Sequence, residues 1–197
     1  MANHEFYMRR CLDLALKAAG RTSPNPMVGA VLVRDGKIIA EGYHQKAGLP
    51  HAEVMAIRRA STACSPSWSK RGTGGVRNKD LTLYVNLEPC CHQGRTPPCT
   101  DAIIKAGIKQ VVVGIRDPNR RVNGKGISEL RKKGIKVRVG ILEEECQRIN
   151  DIYFKAITTG RPFVILKMAA TLDGMVATGK GDSRWITSAT SRKQVHH

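Results

Sequence analysis

The apolar positions change period several times along the chain, and each change predicts an element. From Glu5 to Ala19 the residues Met8, Cys11, Leu12, Ala15 and Ala19 recur at helical spacing, and Gly20 supplies a stop. Thr22-Ser23-Pro24-Asn25-Pro26 breaks the pattern: the second proline keeps Asn25 out of the helical region, so a stiffened loop presents it. Val28–Val33 and Ile38–Tyr43 read as two strands joined at Arg34-Asp35-Gly36-Lys37, a hairpin signal. A Gly/Pro-containing loop, Ala47-Gly48-Leu49-Pro50, then delivers the chain to His51, and Val54, Met55, Ile57 and Ala60 predict a helix over Ala52–Ala60.

Ser61–Asp80 is polar, basic and Gly/Ser-rich, and reads as a surface insertion. Leu81–Leu87 predicts a strand. Beyond it, Thr96 suits a helix N-cap and Pro97 a first helical residue, which places Cys99 in a helix's first turn. Val111–Ile115 and Ile135–Val139 read as strands, Ser128–Lys133 as a short helix, and Glu143–Ile157 as one helix with Cys146, Ile149 and Tyr153 on a face. Thr158–Pro162 looks like a linker, Phe163–Ala170 like a new apolar strand, and Thr171–Gly174 like a turn.

Strands alternating with helices imply an α/β sandwich whose sheet is largely parallel after an initial hairpin. The expected organisation is a main domain over 1–157, then a linker and the opening of a second domain over 158–197, too short to fold alone.

Composition narrows the class. A hydrophobic fraction of 41% and a charged fraction of 25% are ordinary for a water-soluble domain, and no apolar run is long enough to span a bilayer. The N-terminus shows neither a signal peptide nor an Arg/Ser-rich transit segment, so a cytoplasmic protein is expected, or an organellar one if a leader has been removed. The formal charge of +17 favours anionic partners, but aromatic residues for base stacking make up only 5%, which argues against a nucleic-acid surface. Of six cysteines only Cys90, Cys91 and Cys99 cluster; Cys11 and Cys146 read as small core residues.

The clustered residues supply the chemistry. His51-Ala52-Glu53, with Pro89-Cys90 and a further cysteine at 99, provides one imidazole, two thiols and an unpaired carboxylate. That is the donor set of a catalytic Zn²⁺ with an open fourth position, and it follows the H-x-E and P-C pattern of nucleobase deaminases, in which the glutamate stays off the metal. His51 and Glu53 lie two residues apart and can converge on one ion only from a helix's first turn. On this reading His51, Cys90 and Cys99 hold zinc, and Glu53 moves protons between water, ring nitrogen and departing amine. The gap before the second cysteine, Cys91 to Pro98, exceeds the common two-residue spacing.

Taken together, Ser23–Ala30, His51–Val54, Leu87–Cys99, Arg116-Asp117-Pro118-Asn119 and Leu172-Asp173-Gly174 resemble the bifunctional riboflavin-biosynthesis pyrimidine deaminase/reductase family, over nearly the whole chain apart from Ser61–Asp80. The resemblance implies a cytidine deaminase-like three-layer α/β/α sandwich with a mixed five-stranded sheet, followed by the start of a reductase domain. It implies deamination of 2,5-diamino-6-(ribosylamino)-4(3H)-pyrimidinone 5'-phosphate, with Asn25, His44, His92, Arg95, Asp117 and Asn119 lining the substrate pocket and Arg95 suited to the phosphate. His44 reads equally well as a loop histidine capping backbone. Cys91 stands where the family often has Ser or Asn. Lys167, Trp185 and Thr187 resemble the opening of an NADPH-dependent reductase half, whose activity is expected only with the rest of that half present.

A phosphorylated pyrimidine is therefore the expected partner; a nucleic acid and a membrane are not, and homo-oligomer formation is left open. The rival readings are a tRNA adenosine deaminase, supported by the charge, and a catalytically inactive zinc-binding module, against which the unpaired Glu53 argues.

Overall fold

The computed structural model describes residues 3–63, 81–94, 96–184 and 187–195. Two compact units divide the chain, Met1–Pro162 and Phe163–His197.

In the first unit, β1 (Gly29–Arg34) and β2 (Lys37–Tyr43) pair antiparallel. Asp35 and Gly36 between them both take positive φ, 50° and 72°, the mirror-image turn that matches the twist of a tight hairpin. With β3 (Leu81–Leu87), β4 (Gln110–Ile115) and β5 (Lys136–Val139) they form a mixed sheet in the order β2-β1-β3-β4-β5. β1 runs antiparallel to β3, whereas β3, β4 and β5 are mutually parallel.

Side chains alternate across this sheet and build two cores. Leu32, Leu83, Val85, Val111 and Val113 face α2 (Ala52–Ala63), α3 (Cys99–Lys105) and α4 (Lys125–Lys132) through Ala56, Ile103 and Leu130. Val31, Val33, Tyr84 and Val112 face α1 (His4–Leu16) and α5 (Glu143–Arg148) through Tyr7, Met8, Leu12 and Cys146. Cutting a fully buried leucine such as Leu83 to alanine would cost about 2–5 kcal/mol.

Small residues let α2 lie directly on the sheet. Ala52, Ala56 and Ala60 are fully buried, and a Cβ at Gly42 of β2 would come within 2.4 Å of the Ala52 carbonyl oxygen. The first turn of α2, with His51 before it and Glu53 in it, is thereby fixed against the strand. The parallel strands β3 and β4 end beside it, which brings the chain following Leu87 and Ile115 to the same edge. This is where ligands gather in open α/β sheets.

Several local expectations need correction. The helix expected over Ser128–Lys133 is α4, which begins three residues earlier at Lys125, after the Gly124 N-cap. α1 stops at Leu16, and Ala19 is exposed beyond it. α3 begins at Cys99 with Pro98 as N-cap, because the Thr96 hydroxyl is engaged with His51 instead. The helix expected over Glu143–Ile157 is two, α5 and α6 (Asp151–Thr159), broken where the Asn150 side chain hydrogen-bonds the main chain of Met27. The strand expected over Phe163–Ala170 is not formed; a strand needs a ladder partner, and the described residues of the second unit supply none. Val164, Leu166 and Met168 are exposed, and the unit's one described helix is α7 (Ala189–Val195). Among the described residues no helix is long and apolar enough to cross a membrane.

Candidate metal centre and its cavity

His51 immediately precedes α2, and its carbonyl accepts the Met55 N–H at 3.0 Å. Cys90 lies three residues beyond β3, and its carbonyl accepts the Thr100 N–H at 3.2 Å, tying that loop to the start of α3. Cys99 opens α3 with its N–H directed at Cys90 Sγ, 3.5 Å away. These anchors bring three donors together: His51 Nδ1 lies 3.1 Å from Cys99 Sγ and 3.5 Å from Cys90 Sγ. All three ligand atoms lie within 4.8 Å of one another. The other ring nitrogen of His51 faces Thr96 Oγ1 at 3.3 Å.

The donor set fits a zinc ion. Zn–N and Zn–S bonds of ordinary length at a tetrahedral angle separate an imidazole nitrogen from a sulfur by about 3.6 Å, close to what is seen. The charges also call for a cation. Hydrogen bonds from Cys99 and His51 pull the Cys90 thiol down to about 4, and the resulting thiolate holds the proton on Cys99, pushing that thiol well up. Burial raises the Glu53 carboxyl, although neighbouring His51 works against it. Two sulfurs and a buried carboxylate around one imidazole cannot all ionise without a positive charge among them. Cys91 is not part of this cluster; its thiol points to the Arg121 carbonyl at 3.9 Å.

The centre opens into a cavity of about 440 Å³. Asn25, His44, His92, Asp117 and Asn119 all line it, together with Glu53. His44 is buried and uses both ring nitrogens within the protein: Nε2 accepts from Asn25 Nδ2 at 3.1 Å, and Nδ1 donates to the Pro50 carbonyl at 3.3 Å. Burial lowers its pKa, consistent with a neutral ring that orients Asn25. His92 is half-buried and keeps a buried Nδ1 without a hydrogen-bond partner among the described residues. Asp117 is buried, and its Oδ1 accepts the Asn119 N–H at 2.8 Å and the Tyr153 hydroxyl at 2.9 Å. Burial nevertheless raises its carboxyl, those two hydrogen bonds only opposing the rise.

Arg95 and Trp185 lie outside the described residues, as does most of the expected insertion, 64–80. Lys167 and Thr187 are exposed in the second unit, where the Thr187 carbonyl accepts from Arg192 Nη1. The wall residues that the sequence does not single out for this role include Glu88, Thr96, Tyr153 and Ile157. For Tyr153 and Ile157 helical periodicity predicts only packing. For Thr96 the adjoining prolines suggest a cap.

A family model described as the cytidine and deoxycytidylate deaminase zinc-binding region matches residues 1–115, and one described as the RibD C-terminal domain matches residues 162–197. The chain is 54% identical over 190 residues to the riboflavin biosynthesis protein RibD of Aquifex aeolicus, covering 96% of this chain and 49% of that protein. Among solved structures it is similar to a diaminohydroxyphosphoribosylaminopyrimidine deaminase/5-amino-6-(5-phosphoribosylamino)uracil reductase from Thermotoga maritima, with a TM-score of 0.84 and 49% identity over 98% of this chain and 52% of that one. It is also similar to the Aspergillus oryzae Rib2 deaminase in complex with DARIPP, with a TM-score of 0.60 and 28% identity over 78% of this chain and 92% of that one. The chain spans about half the length of the curated relatives it matches.

Proposed function

The chain belongs to the cytidine and deoxycytidylate deaminase zinc-binding family, and from that premise we propose that it is the pyrimidine deaminase of riboflavin biosynthesis. The reaction is hydrolysis of 2,5-diamino-6-(ribosylamino)-4(3H)-pyrimidinone 5'-phosphate to 5-amino-6-(ribosylamino)uracil 5'-phosphate: water enters, the exocyclic C–N bond breaks, a carbonyl forms and ammonia leaves. The observation that carries this reading is the convergence of His51, Cys90 and Cys99 at the wall of the cavity that Glu53 also lines.

When bound to His51, Cys90 and Cys99, a zinc ion would lower the pKa of the attacking water. Glu53 does the proton work. Its carboxyl is 3% exposed and raised by burial, which suits it to accept a proton from water and return one to the ring nitrogen and the departing amine. Asn25, oriented by His44, and Asp117, held by Tyr153, offer polar groups to the pyrimidine edge, with Asn119 and His92 beside them. Arg95 is proposed to hold the phosphate. The likeness to the Thermotoga maritima enzyme and to the DARIPP-bound Aspergillus oryzae deaminase supports this substrate class. Residues 162–197 are proposed to begin an NADPH-dependent reductase half, with Lys167, Trp185 and Thr187 toward that cofactor.

The test is ammonia release by the zinc-loaded chain offered two substrates in parallel, the phosphorylated diaminopyrimidine and a tRNA anticodon stem-loop. Turnover of the pyrimidine is expected. Turnover of the RNA alone would favour the tRNA deaminase reading that the +17 charge supports.

A further inference from the structure

Three carboxylates line the cavity, and the function proposed above uses two of them, Glu53 and Asp117. Glu88 is the third. It lies two residues before Cys90, is 4% exposed, and among the described residues has no cationic side chain as a hydrogen-bond partner. Its partners are three main-chain N–H groups. Oε2 accepts from Asp117 at 3.3 Å and Gly124 at 2.9 Å, and Oε1 accepts from Ile127 at 3.1 Å.

The three donors share a location. Gly124 is the N-cap of α4, a position with no side chain to cap the helix, and Ile127 lies in its first turn. Asp117 begins the loop that leads into that helix and carries Asn119. Glu88 therefore supplies, from 36 and 39 positions earlier, the capping oxygens that α4 lacks locally. The packing allows no slack: a Cβ at Gly126 would lie 2.1 Å from the Pro89 carbonyl oxygen and 3.3 Å from Glu88 Oε1.

We propose that Glu88 is a positioning residue, a clamp that sets the Asp117–Asn119 wall of the cavity relative to the metal ligand Cys90. The residue does not move protons in the reaction. Both of its oxygens are committed to N–H donors, and it acts on substrate only through the loop it holds.

Glu88→Gln is the probing change. It preserves volume but turns an NH₂ group toward at least one main-chain N–H, so the clamp opens on one side. Two measurements on the zinc-loaded full chain decide the matter. Hydrogen exchange reads the clamp directly: amides of the 116–127 segment are expected to exchange about tenfold faster or more, while those of α2 and β3 and the zinc content stay as in the parent. Kinetics with the diaminopyrimidine phosphate read its use, with KM expected to rise about tenfold and kcat to stay within about threefold. The kinetic arm rests on the proposed deaminase activity and the exchange arm does not, so a parent chain inactive on that substrate would sink the activity while leaving the clamp to be judged by exchange. Unchanged exchange in 116–127 would overturn the proposal, as would a fall in kcat matched by lost zinc. Should Glu88→Gln not fold, Glu88→Asp is measured in the same way; failure of both to fold would also overturn it, because the residue would then serve the whole domain and not one wall.

Discussion

Asn150 hydrogen-bonds both main-chain polar groups of Met27, its Oδ1 accepting the N–H at 2.7 Å and its Nδ2 donating to the carbonyl at 2.9 Å. Asn86 adds a second tether, donating to the same carbonyl at 3.1 Å and accepting the Gly29 N–H at 2.8 Å. Two buried amides from distant parts of the chain thus take the place of a ladder for the loop that presents Asn25. The same bond explains why the helix expected over Glu143–Ile157 breaks: Asn150 is turned to Met27, with ψ of 18°.

Asn150→Ala is therefore expected to leave one buried N–H unpaired and to weaken the hold on the Met27 carbonyl. A loss of about 1–3 kcal/mol in folding stability should appear as a lower urea midpoint. Asn150→Asp keeps the acceptor but sets a second carboxylate oxygen against the Met27 carbonyl in a buried site, so it is expected to be no more stable than the alanine variant. An alanine variant as stable as the parent would show that water replaces the side chain at no cost.

Glu53→Gln should separate metal binding from turnover. The carboxylate is not among the three converging donors, so zinc content is expected to stay at about one ion per chain, while ammonia release falls about 10²–10⁴-fold. Metal analysis beside the ammonia assay checks both. Zinc loss in the variant would make Glu53 a ligand and remove its proposed role in proton transfer.

What is legible in the sequence follows a physical division. The hairpin, the buried strands and the placement of His51 and Glu53 at the start of a helix depend on local period and on the two-residue spacing. Glu88, Thr96 and Tyr153 could not be read in that way. Their partners are main-chain amides, a ring nitrogen and a carboxylate 29 to 45 positions away, and tertiary contacts of that kind leave no period in the sequence. Phe163–Ala170 failed for the opposite reason: its local pattern is that of a strand, but pairing depends on neighbours that the described residues do not provide.

Asp117 should weaken the fold as pH rises. Its folded carboxyl is raised above the ordinary value of 3.8, chiefly by burial, so it keeps its proton to higher pH than the unfolded one. Between those two values the folded state binds more protons. Stability contributed by this group therefore falls across that window and stays lower above it. Asp117→Asn removes the buried charge while its Oδ1 can still accept from Asn119 and Tyr153. The variant is expected to have a higher Tm than the parent at pH 7–8, the gain fading below 3.8, with substrate binding weakened throughout. Thermal melts of the two proteins at matched pH cancel effects common to both, including loss of metal in acid. A gain that persists in acid would assign it to something other than the charge.

Thr96 lies outside the three ligands, but it decides how one of them is presented. His51 turns Nδ1 to the sulfurs, so in its neutral, ligating form the proton sits on Nε2, and the hydroxyl 3.3 Å away is positioned to accept it. That acceptor favours the correct tautomer and fixes the ring plane. Pro97 and Pro98 stiffen the short stretch between the hydroxyl and Cys99, tying one ligand's orientation to another's position. Thr96→Val keeps the shape and deletes the acceptor, leaving a half-buried N–H to find water. Zinc affinity measured by chelator competition is expected to drop about 10–100-fold, while Thr96→Ser, which keeps the hydroxyl, should stay close to the parent. Equal affinity in all three proteins would mean that the ring is oriented by packing alone, and the hydroxyl would then be a cavity-lining group with no part in holding the metal.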